Sequence, residues 1–372
     1  MTTRPGSTAR PPRSEKQMRL GVVGMGIGRP NARAVAKKPR GVVAAVCDLV
    51  PERMEEFAID LATLGNPDPK RFTSYQEMCR DPELDAVFVG TPNQLHVPVA
   101  LEAVRNGKHV MVTKPLADSE AAARELVAEA EKAGIVNMMS LSTRFGPAAT
   151  YLSEQARTGT FGELYYARAR SVRRNGIPAW NTGFIQKGGG AFRDMGVHAL
   201  DAVWSILGHP QPVSVTGVAG AKFGPRGLGY WYSREQPPES VWRQYAADDY
   251  AGGFVRFEPA TGGDIGVQIE SFWASHQPGE FQIELFGTQA GARLSPLTIY
   301  KMEHGAEADV TVNLPKRDDG SGWDAIAAHF ISCILDGTAC SAPLRHGLQV
   351  QIMMEALLRS AETGKEERIE EF

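Results

Sequence analysis

The chain has 372 residues, a length that suits two domains better than one hydrophobic core. Hydrophobic residues make up 42% and charged residues 22% of the chain, which is the balance of a globular protein in water. The net charge of −3 provides no basic excess for phosphates, and no apolar stretch reaches the roughly 20 residues of a membrane span. We therefore expect neither nucleic acid nor a membrane as a partner.

The N-terminal residues and the cysteines bear on location. Residues 1–17 are rich in Pro, Arg, Ser and Thr without an apolar segment, so they predict a disordered tail rather than a secretory signal. The four cysteines form no C-x-x-C pair and are interpreted as reduced thiols of a cytoplasmic protein. The eight histidines show neither H-x-H nor H-E-x-x-H spacing. No metal is therefore predicted, although ligands scattered through the sequence escape this test.

Residues 18–142 predict a doubly wound Rossmann domain. Short continuous apolar strands alternate there with amphipathic helices, a pattern typical of a parallel sheet covered on both faces. The predicted strands are 19–24, 42–48, 85–90, 109–112 and 135–141, and the predicted helices are 29–38, 51–61, 95–106 and 119–132.

Residues 143–372 predict an α+β domain for substrate binding and oligomerisation. Several of its strands alternate polar and apolar residues, which predicts a mostly antiparallel sheet with one open face. An open apolar face invites a symmetric partner. The predicted strands are 164–172, 213–218, 250–257, 264–273 and 281–287, the long loops are 219–247 and 302–322, and the closing helices are 323–335 and 346–363.

A glycine-rich turn follows the first predicted strand and opens the first helix. Glycines there permit a tight turn and let backbone N–H groups approach a pyrophosphate, and the helix N-terminus adds partial positive charge. The third glycine falls one place earlier than in G-x-G-x-x-G, so the turn alone fits a ligand-free turn equally well. Its cofactor-binding candidates are Gly24, Met25, Gly26, Ile27, Gly28 and Arg29.

Asp48 ends the second predicted strand, 22 residues after Gly26. An acid at this place accepts hydrogen bonds from the ribose hydroxyls of a dinucleotide and repels a 2′-phosphate. Asp48 also suits a simpler role, in which it caps the turn before Pro51. The order of strand, glycine turn, helix and second strand favours the cofactor interpretation, with NAD preferred over NADP.

Two further features carry candidate chemistry. Lys114 follows a predicted strand, and ligands of open α/β sheets bind at the carboxyl ends of strands. Asp194 and His198 are four residues apart, so on a helix they share one face, and three glycines before them leave room for a ligand. Gly196 in this helix costs up to about 1 kcal/mol relative to alanine, which predicts close approach by the nicotinamide or another backbone.

The combination resembles the Gfo/Idh/MocA family, the group of glucose–fructose oxidoreductase and inositol dehydrogenase, over nearly all of residues 18–362. The motifs that carry the resemblance are GVVGMGIGRPNA, Asp48, TPNQLH at 91–96, GKHVMVTKP at 107–115 and GGGAFRDMGVH at 188–198. Thr113 stands where the E-K-P motif has glutamate, so a carboxylate is missing there.

The resemblance implies roles for these residues. Lys114 would lie between nicotinamide and substrate, and Asp194 and His198 would bind and deprotonate the reacting hydroxyl. It also implies a homodimer or homotetramer. The glycine turn departs from the family pattern as a G-x-G-x-G-R variant, from which we expect Arg29 to add a charge near the pyrophosphate. The loop assigned to the cofactor contains Thr91, Pro92, Asn93 and His96.

The resulting hypothesis is oxidation of a ring secondary alcohol of a sugar, glycoside or polyol, for instance at C3. His198 is the first choice of base because its ordinary pKa near 6.5 suits proton exchange at neutral pH, and Lys114 is the rival. Aromatic residues of the 228–245 loop, Tyr230, Trp231, Tyr232 and Trp242, are expected to close over the site or pack between subunits. The substrate-binding candidates are Arg144, Arg170, Arg173, Arg174, Trp180, Asp194 and His198.

Three functions remain open at this level. The first is a simple NAD-dependent dehydrogenase. The second is an NAD-dependent glycoside hydrolase, which oxidises C3 transiently, eliminates the aglycone and reduces the ring again, and for which the arginines would suit an acidic sugar. The third is a non-catalytic NAD-binding regulatory protein, which would not need to keep all three of Lys114, Asp194 and His198.

Overall fold

The computed structural model describes residues 16–178, 182–231, 236–260, 262–315 and 322–370. The predicted tail 1–17 therefore lies outside the described residues, apart from Lys16 and Gln17. The chain divides into two compact units. The first holds the described residues up to Thr113, Ala122–Ser140 and the segment that ends at Leu344. The second holds Lys114–Ala121, the residues from Leu141 to 315 and those from Arg345 onward.

A parallel six-stranded sheet forms the centre of the first unit. Its order is β3-β2-β1-β4-β5-β6, and every pair is parallel, which confirms the predicted Rossmann class. All residues of β2 and β4 are buried, as a sheet covered on both faces requires. The strands are β1 (Met18–Val23), β2 (Gly41–Cys47), β3 (Lys70–Phe72), β4 (Ala86–Val89), β5 (His109–Thr113) and β6 (Asn137–Ser140).

Helices connect these strands. Four match predicted helices, whereas α3 and the short strand β3 were not predicted, because neither carries a long apolar repeat. The helices are α1 (Gly28–Ala36), α2 (Pro51–Thr63), α3 (Tyr75–Arg80), α4 (His96–Arg105) and α5 (Glu120–Lys132).

The second unit is built on a nine-stranded sheet of order β14-β13-β12-β11-β7-β10-β9-β8-β15. Only β7 and β10 pair in parallel among its described strands, so the predicted antiparallel character is confirmed. Its strands are β7 (Leu164–Val172), β8 (Gln211–Gly220), β9 (Tyr250–Glu258), β10 (Ile265–Phe272), β11 (Glu280–Gly287), β12 (Ala290–Arg293), β13 (Thr298–Glu303), β14 (Ala306–Thr311) and β15 (Glu367–Arg368).

Five α-helices follow β6 among the described residues. The helices α6 and α8 were not predicted from the sequence. The set is α6 (Pro147–Arg157), α7 (Val197–Ile206), α8 (Glu239–Trp242), α9 (Gly322–Asp336) and α10 (Leu344–Thr363). A π-helical turn, Phe192–Gly196, leads directly into α7. No helix in the described part of the chain is long and apolar enough to cross a bilayer.

Helix α9 packs with the first unit, although its residues were predicted as part of the domain 143–372. Ile331 lies against the Gly41 backbone at the start of β2. Arg40 forms a two-pronged ion pair with Asp336 at 2.7 and 2.9 Å. Contacts of this kind join residues that are far apart in sequence, so no local pattern reports them.

The loop predicted at 302–322 is wrong in its first part, where β13 and β14 form a hairpin. Nearly all residues of β14 are exposed, so neither of its faces needs apolar side chains. The alternation that identifies a half-buried strand is therefore missing. Strand β10 shows the opposite case, because its residues alternate strictly between buried and half-buried. Helix α7 packs on the buried face of β7 and β11.

Candidate active site

The glycine turn between β1 and α1 is shaped by two glycines that face protein. Gly24 has φ of +90°, and a Cβ there would lie 2.5 Å from the Gly90 carbonyl oxygen. A Cβ at Gly28 would lie 2.9 Å from Cγ1 of Val22. Gly28 thus provides the close helix–strand packing that the third glycine provides in G-x-G-x-x-G, although it comes one place early.

Gly26 differs from its neighbours because a Cβ there would meet no described atom within 4 Å. Helix α1 has no side-chain cap and no acidic residue in its first turn, so its N–H groups favour an anion. Next to the turn, Thr91 Oγ1 is buried without a hydrogen-bond partner among the described atoms. The open glycine, the uncapped helix and the orphaned hydroxyl together fit a dinucleotide pyrophosphate.

Asp48 holds the turn from the end of β2. Its Oδ2 accepts from the Met25 N–H at 2.8 Å, and its Oδ1 accepts from the Val50 N–H at 3.0 Å. The capping role and the bracing of the glycine turn are therefore both present. Each oxygen keeps a second lone pair, so the carboxylate retains acceptors for ribose hydroxyls. That contact stays a prediction.

Arg29 does not supply a free charge to the turn, contrary to expectation. Its guanidinium donates to the Arg53 carbonyl oxygen at 3.0 Å and to Glu56 Oε2 at 3.1 Å, and it lies 5.8 Å from the centroid of the Phe57 ring. All three partners belong to α2, whose acidic side chain compensates the Arg29 charge.

The loop after β4 contains the other predicted cofactor residues. Pro92 is exposed and Asn93 half-buried, so both are accessible to a ligand. Ile27, in the glycine turn, is also exposed. His96 is fully buried, and its Nε2 lies 2.8 Å from the Thr91 carbonyl oxygen. His96 therefore anchors the loop from within, and its predicted contact with the cofactor is wrong.

In the second unit, Lys114 and Asp194 form the centre of the candidate active site. Lys114 Nζ donates to the Asp194 carbonyl oxygen at 2.7 Å and to Asp194 Oδ1 at 2.8 Å. Trp273 Nε1 donates to Asp194 Oδ2 at 3.0 Å. Burial disfavours the charged carboxylate, but the Lys114 charge and these hydrogen bonds outweigh it and lower the pKa of Asp194. Asp194 is therefore an ionised residue that fixes Lys114.

His198 lies at the start of α7, one turn beyond Asp194. Its Nδ1 is 3.4 Å from Thr143 Oγ1. Burial above all, and then the positive charge of Lys114, lower the pKa of His198 to about 3. The expectation of an ordinary pKa near 6.5 is wrong, and the imidazole is neutral across the physiological range. The π-helical turn Phe192–Gly196, which contains Asp194, replaces the regular helix that was predicted there.

A pocket of about 590 Å³ is lined by Asp194 and His198, whereas Lys114, which donates to Asp194, is not part of its lining. It lies wholly within the second unit and carries residues of both charge signs. Its lining includes Ser142, Thr143, Ser171, Arg173, Asp194, His198, Glu280 and Phe281. The size and the polar lining suit a small hydroxylated ligand.

Asp248 explains Gly190, the last glycine of the run before the π-helical turn, and no sequence motif marks Asp248. Its Oδ2 accepts from the Phe192 N–H and its carbonyl oxygen from the Ala191 N–H, both at 2.9 Å. A Cβ at Gly190, where φ is +113°, would lie 1.9 Å from Asp248 Oδ1. Burial raises the pKa of Asp248 to about 6. At Gly190, the space predicted for a ligand is therefore filled by a capping carboxylate.

Gly196 is also explained by protein rather than by a ligand. A Cβ at Gly196 would lie 2.3 Å from Cδ2 of the Phe192 ring. The side chain that approaches closely belongs to the preceding turn. The Phe192 ring, and not the predicted nicotinamide or another backbone, is therefore what requires glycine at position 196.

The four arginines predicted to bind substrate differ in their contacts. Arg144 is buried and pairs with Asp201, with Nε to Oδ2 at 2.9 Å, so it stabilises the core and does not line the pocket. Arg170 pairs with two glutamates. Arg174 donates to a backbone oxygen at 3.4 Å. Arg173 alone among them lines the pocket, 3.9 Å from Asp194 Oδ2 and 4.6 Å from the centroid of the Trp231 ring.

Aromatic residues of the 228–245 loop form part of a hydrophobic cluster next to the site. Tyr230 is buried and donates from its hydroxyl to the Gly224 carbonyl oxygen at 3.1 Å. It packs in one cluster with Trp273, the residue that donates to Asp194, and Trp242 packs against that cluster. Trp180 and Tyr232, two of the predicted contacts, lie outside the described residues. The loop therefore packs against Trp273 and helps to hold it where it donates to Asp194.

Comparison with known proteins identifies the family. Residues 18–141 match the oxidoreductase family with an NAD-binding Rossmann fold, and residues 150–293 match the GFO/IDH/MocA C-terminal domain. D-glucoside 3-dehydrogenase of Escherichia coli K12 is 31% identical over 283 residues, which cover 75% of this chain and 78% of the relative. The bovine trans-1,2-dihydrobenzene-1,2-diol dehydrogenase is 32% identical over 150 residues, covering 40% of this chain and 44% of that enzyme.

Solved structures share the fold. A levoglucosan dehydrogenase in complex with NADH and levoglucosan has a TM-score of 0.78 at 19% identity, over 96% of this chain and 100% of that chain. An NAD-binding oxidoreductase of Klebsiella pneumoniae has a TM-score of 0.79 at 23% identity, over 96% and 100% of the two chains. The matches over both units show that the chain belongs to the Gfo/Idh/MocA family and is an NAD-dependent oxidoreductase.

Proposed function

We propose that this enzyme oxidises a ring secondary hydroxyl of a neutral sugar, glycoside or polyol, and that C3 of a glucoside is the position attacked. The observation that carries the proposal is the half-buried Lys114–Asp194–His198 cluster, of which Asp194 and His198 line a polar pocket. The similarity to D-glucoside 3-dehydrogenase supports the choice of position.

NAD, when bound, accepts the hydride that leaves the carbinol carbon. Lys114 stabilises the oxygen of the reacting hydroxyl. Two of its three N–H donors point to Asp194, at 2.7 and 2.8 Å, which leaves the third for a substrate oxygen. An ammonium fixed in this way stabilises the negative charge that develops on that oxygen, without reorganising during the reaction.

His198 is the group that takes the hydroxyl proton. A protonated Lys114 cannot accept a proton, whereas the neutral His198 imidazole can. When Nδ1 donates to Thr143 Oγ1, Nε2 is the accepting atom. The Lys114 charge lowers the basicity of His198. The same charge makes the substrate hydroxyl more acidic, and this second effect offsets the first when the proton passes from the hydroxyl to His198.

The charges around the pocket favour a neutral substrate over an acidic sugar. Arg170 is compensated by Glu270 and Glu280, each at 2.7 Å. Arg173 lies beside the ionised Asp194. The arginine cluster that suggested an anionic sugar is therefore matched by carboxylates within the same unit.

The decisive assay uses the wild-type protein with NAD and four probes: methyl glucoside, myo-inositol, an aryl glucoside and an aryl glucuronide. Formation of NADH with a neutral substrate supports the proposal. Aglycone release without net NADH supports the hydrolase, oxidation of the glucuronide alone overturns the neutral specificity, and NAD binding without turnover supports a regulatory protein. Lys114→Met is compared with Lys187→Met, an exposed lysine of the same unit.

We also propose that the enzyme assembles as a homodimer or homotetramer through the outer face of its nine-stranded sheet. Aromatic rings lie on this face, with Tyr166 5.4 Å from Phe286 and 6.1 Å from Phe254 between centroids. Sedimentation at micromolar concentration tests this assembly. A monomer under those conditions would refute it.

A further inference from the structure

A histidine and two cysteines converge in the first unit, and the NAD-dependent chemistry uses none of them. His329 and Cys333 lie four residues apart on α9, hence on one face of that helix. Cys340 follows in the segment between α9 and α10. The ligand atoms of the three residues all lie within 4.8 Å of one another. Because the spacing is neither C-x-x-C nor H-x-H, neither of these sequence motifs marks the cluster.

The distances within this cluster suit a tetrahedral thiolate–imidazole metal site. Zinc bonds of about 2.3 Å to sulfur and 2.0–2.1 Å to nitrogen place tetrahedral S and N ligands roughly 3.5 Å apart. Cys333 Sγ lies 3.5 Å from His329 Nε2. The Ser341 N–H donates to the same Nε2 at 2.9 Å, so this nitrogen is unprotonated, and a bound metal ion would replace that hydrogen bond at its one lone pair.

The third ligand is held in place by contacts that need no metal. Cys340 Sγ lies 3.5 Å from the Asn137 carbonyl oxygen. The Met139 N–H donates to the Ala342 carbonyl oxygen at 2.9 Å, and the Leu344 N–H donates to Asn137 Oδ1 at 3.0 Å. The segment after α9 is thus fixed along β6, with its thiol facing α9. Because this segment is already fixed, less conformational entropy is lost when Cys340 binds a metal ion.

We propose that His329, Cys333 and Cys340 bind one Zn²⁺ ion that joins α9 to the segment beside β6. Two sulfur ligands and one imidazole select a thiophilic divalent ion over Mg²⁺ or Ca²⁺. The fourth position is left for a water molecule or for the Ser341 hydroxyl, which lies 3.0 Å from Nε2. The role of the ion is structural, so it is independent of the proposed sugar oxidation.

Cobalt(II) titration of the reduced, chelator-treated full-length protein tests the site. We expect one equivalent to give a thiolate-to-cobalt charge-transfer band that added Zn²⁺ removes, and Zn²⁺ to raise Tm. Cys333→Ala, Cys340→Ala and His329→Asn should each weaken cobalt binding at least about tenfold. Cys79→Ala, a buried cysteine outside the cluster, and His304→Asn, an exposed histidine, should not.

The wild-type protein alone decides the outcome if a variant fails to fold. Absence of the charge-transfer band together with an unchanged Tm in Zn²⁺ overturns the proposal. It is equally overturned if the metal-free protein forms a Cys333–Cys340 disulfide under air and, once reduced again, binds no cobalt. Neither result depends on whether the enzyme turns over a sugar.

Discussion

Two glycine-rich segments in this molecule look alike in sequence and serve opposite purposes. In the turn after β1, Gly26 leaves backbone uncovered, because no described atom lies where its side chain would be. In the segment before α7, Gly190 and Gly196 leave room for Asp248 and Phe192 of the protein itself. The first segment is shaped for a ligand and the second for internal packing. The comparison shows that a glycine motif indicates close approach without saying what approaches.

Loss of the Lys114 ammonium should have the largest effect. We expect Lys114→Met to lower kcat by about 10²–10³-fold or more, since it removes the donor that stabilises the developing alkoxide. NAD affinity should change little, because the features that fit the dinucleotide lie in the first unit. Steady-state kinetics with calorimetric NAD binding measures both, and Lys187→Met is the control. An equal loss in the control would contradict the assignment.

Gly190→Ala should disrupt the second segment through its packing. The new Cβ would lie 1.9 Å from the Asp248 carboxylate at a φ of +113°, so we expect a loss of roughly 3 kcal/mol or more in the free energy of unfolding. Urea denaturation measures this loss. Gly188→Ala is the partner variant, with φ of +89° but open space at its Cβ. Equal destabilisation by the two would show that backbone conformation, and not Asp248, requires glycine.

Gly26→Ala, in the first segment, should weaken NAD binding while leaving the stability of the fold nearly unchanged. Its Cβ enters open space, so the free energy of unfolding should change by less than about 1 kcal/mol. NAD affinity should fall by about tenfold, which is 1.4 kcal/mol, because the methyl group occupies the approach of the pyrophosphate. Titration calorimetry with NAD reports the affinity. Unchanged NAD binding by a folded variant would remove the contrast between the two segments.

The half-buried imidazoles of His198 and His209 predict a smaller, pH-dependent effect on stability. The pKa of His198 in the folded protein is about 3, below its ordinary value of 6.5, so only the unfolded chain takes up the proton between these values. Stability is then complete above pH 6.5 and falls on acidification, by up to about 1.4 kcal/mol per pH unit for this group. His209, with a pKa of about 4, adds a second contribution of the same sign. Urea denaturation from pH 7 to 4.5 should give a shallower slope for His198→Asn than for wild type, and an identical slope would contradict a neutral His198.

Much of the fold was readable from the sequence, because buried strands and amphipathic helices carry their own periodicity. The strand bounds of β7 were predicted exactly as the structure has them, whereas β13 and β14 were missed because exposed edge strands have no apolar face. Lys114 and Arg173 both lie beside Asp194, and their roles toward cofactor and substrate stay predictions. The sequence did not predict the roles of Asp248 and Trp273 or the burial of Arg144 and His96. Each of these depends on contacts between residues that are distant in the chain.

The fate of the substrate's hydrogen tests the central proposal most directly. Methyl glucoside carrying deuterium at C3 is incubated with the enzyme and NAD, and both products are analysed by mass spectrometry and NMR. We predict that deuterium appears on the reduced nicotinamide, that the sugar becomes the 3-keto glycoside, and that Lys114→Met slows both changes in parallel. Retention of deuterium in the sugar while NADH forms would place the oxidation at another carbon and contradict the proposal.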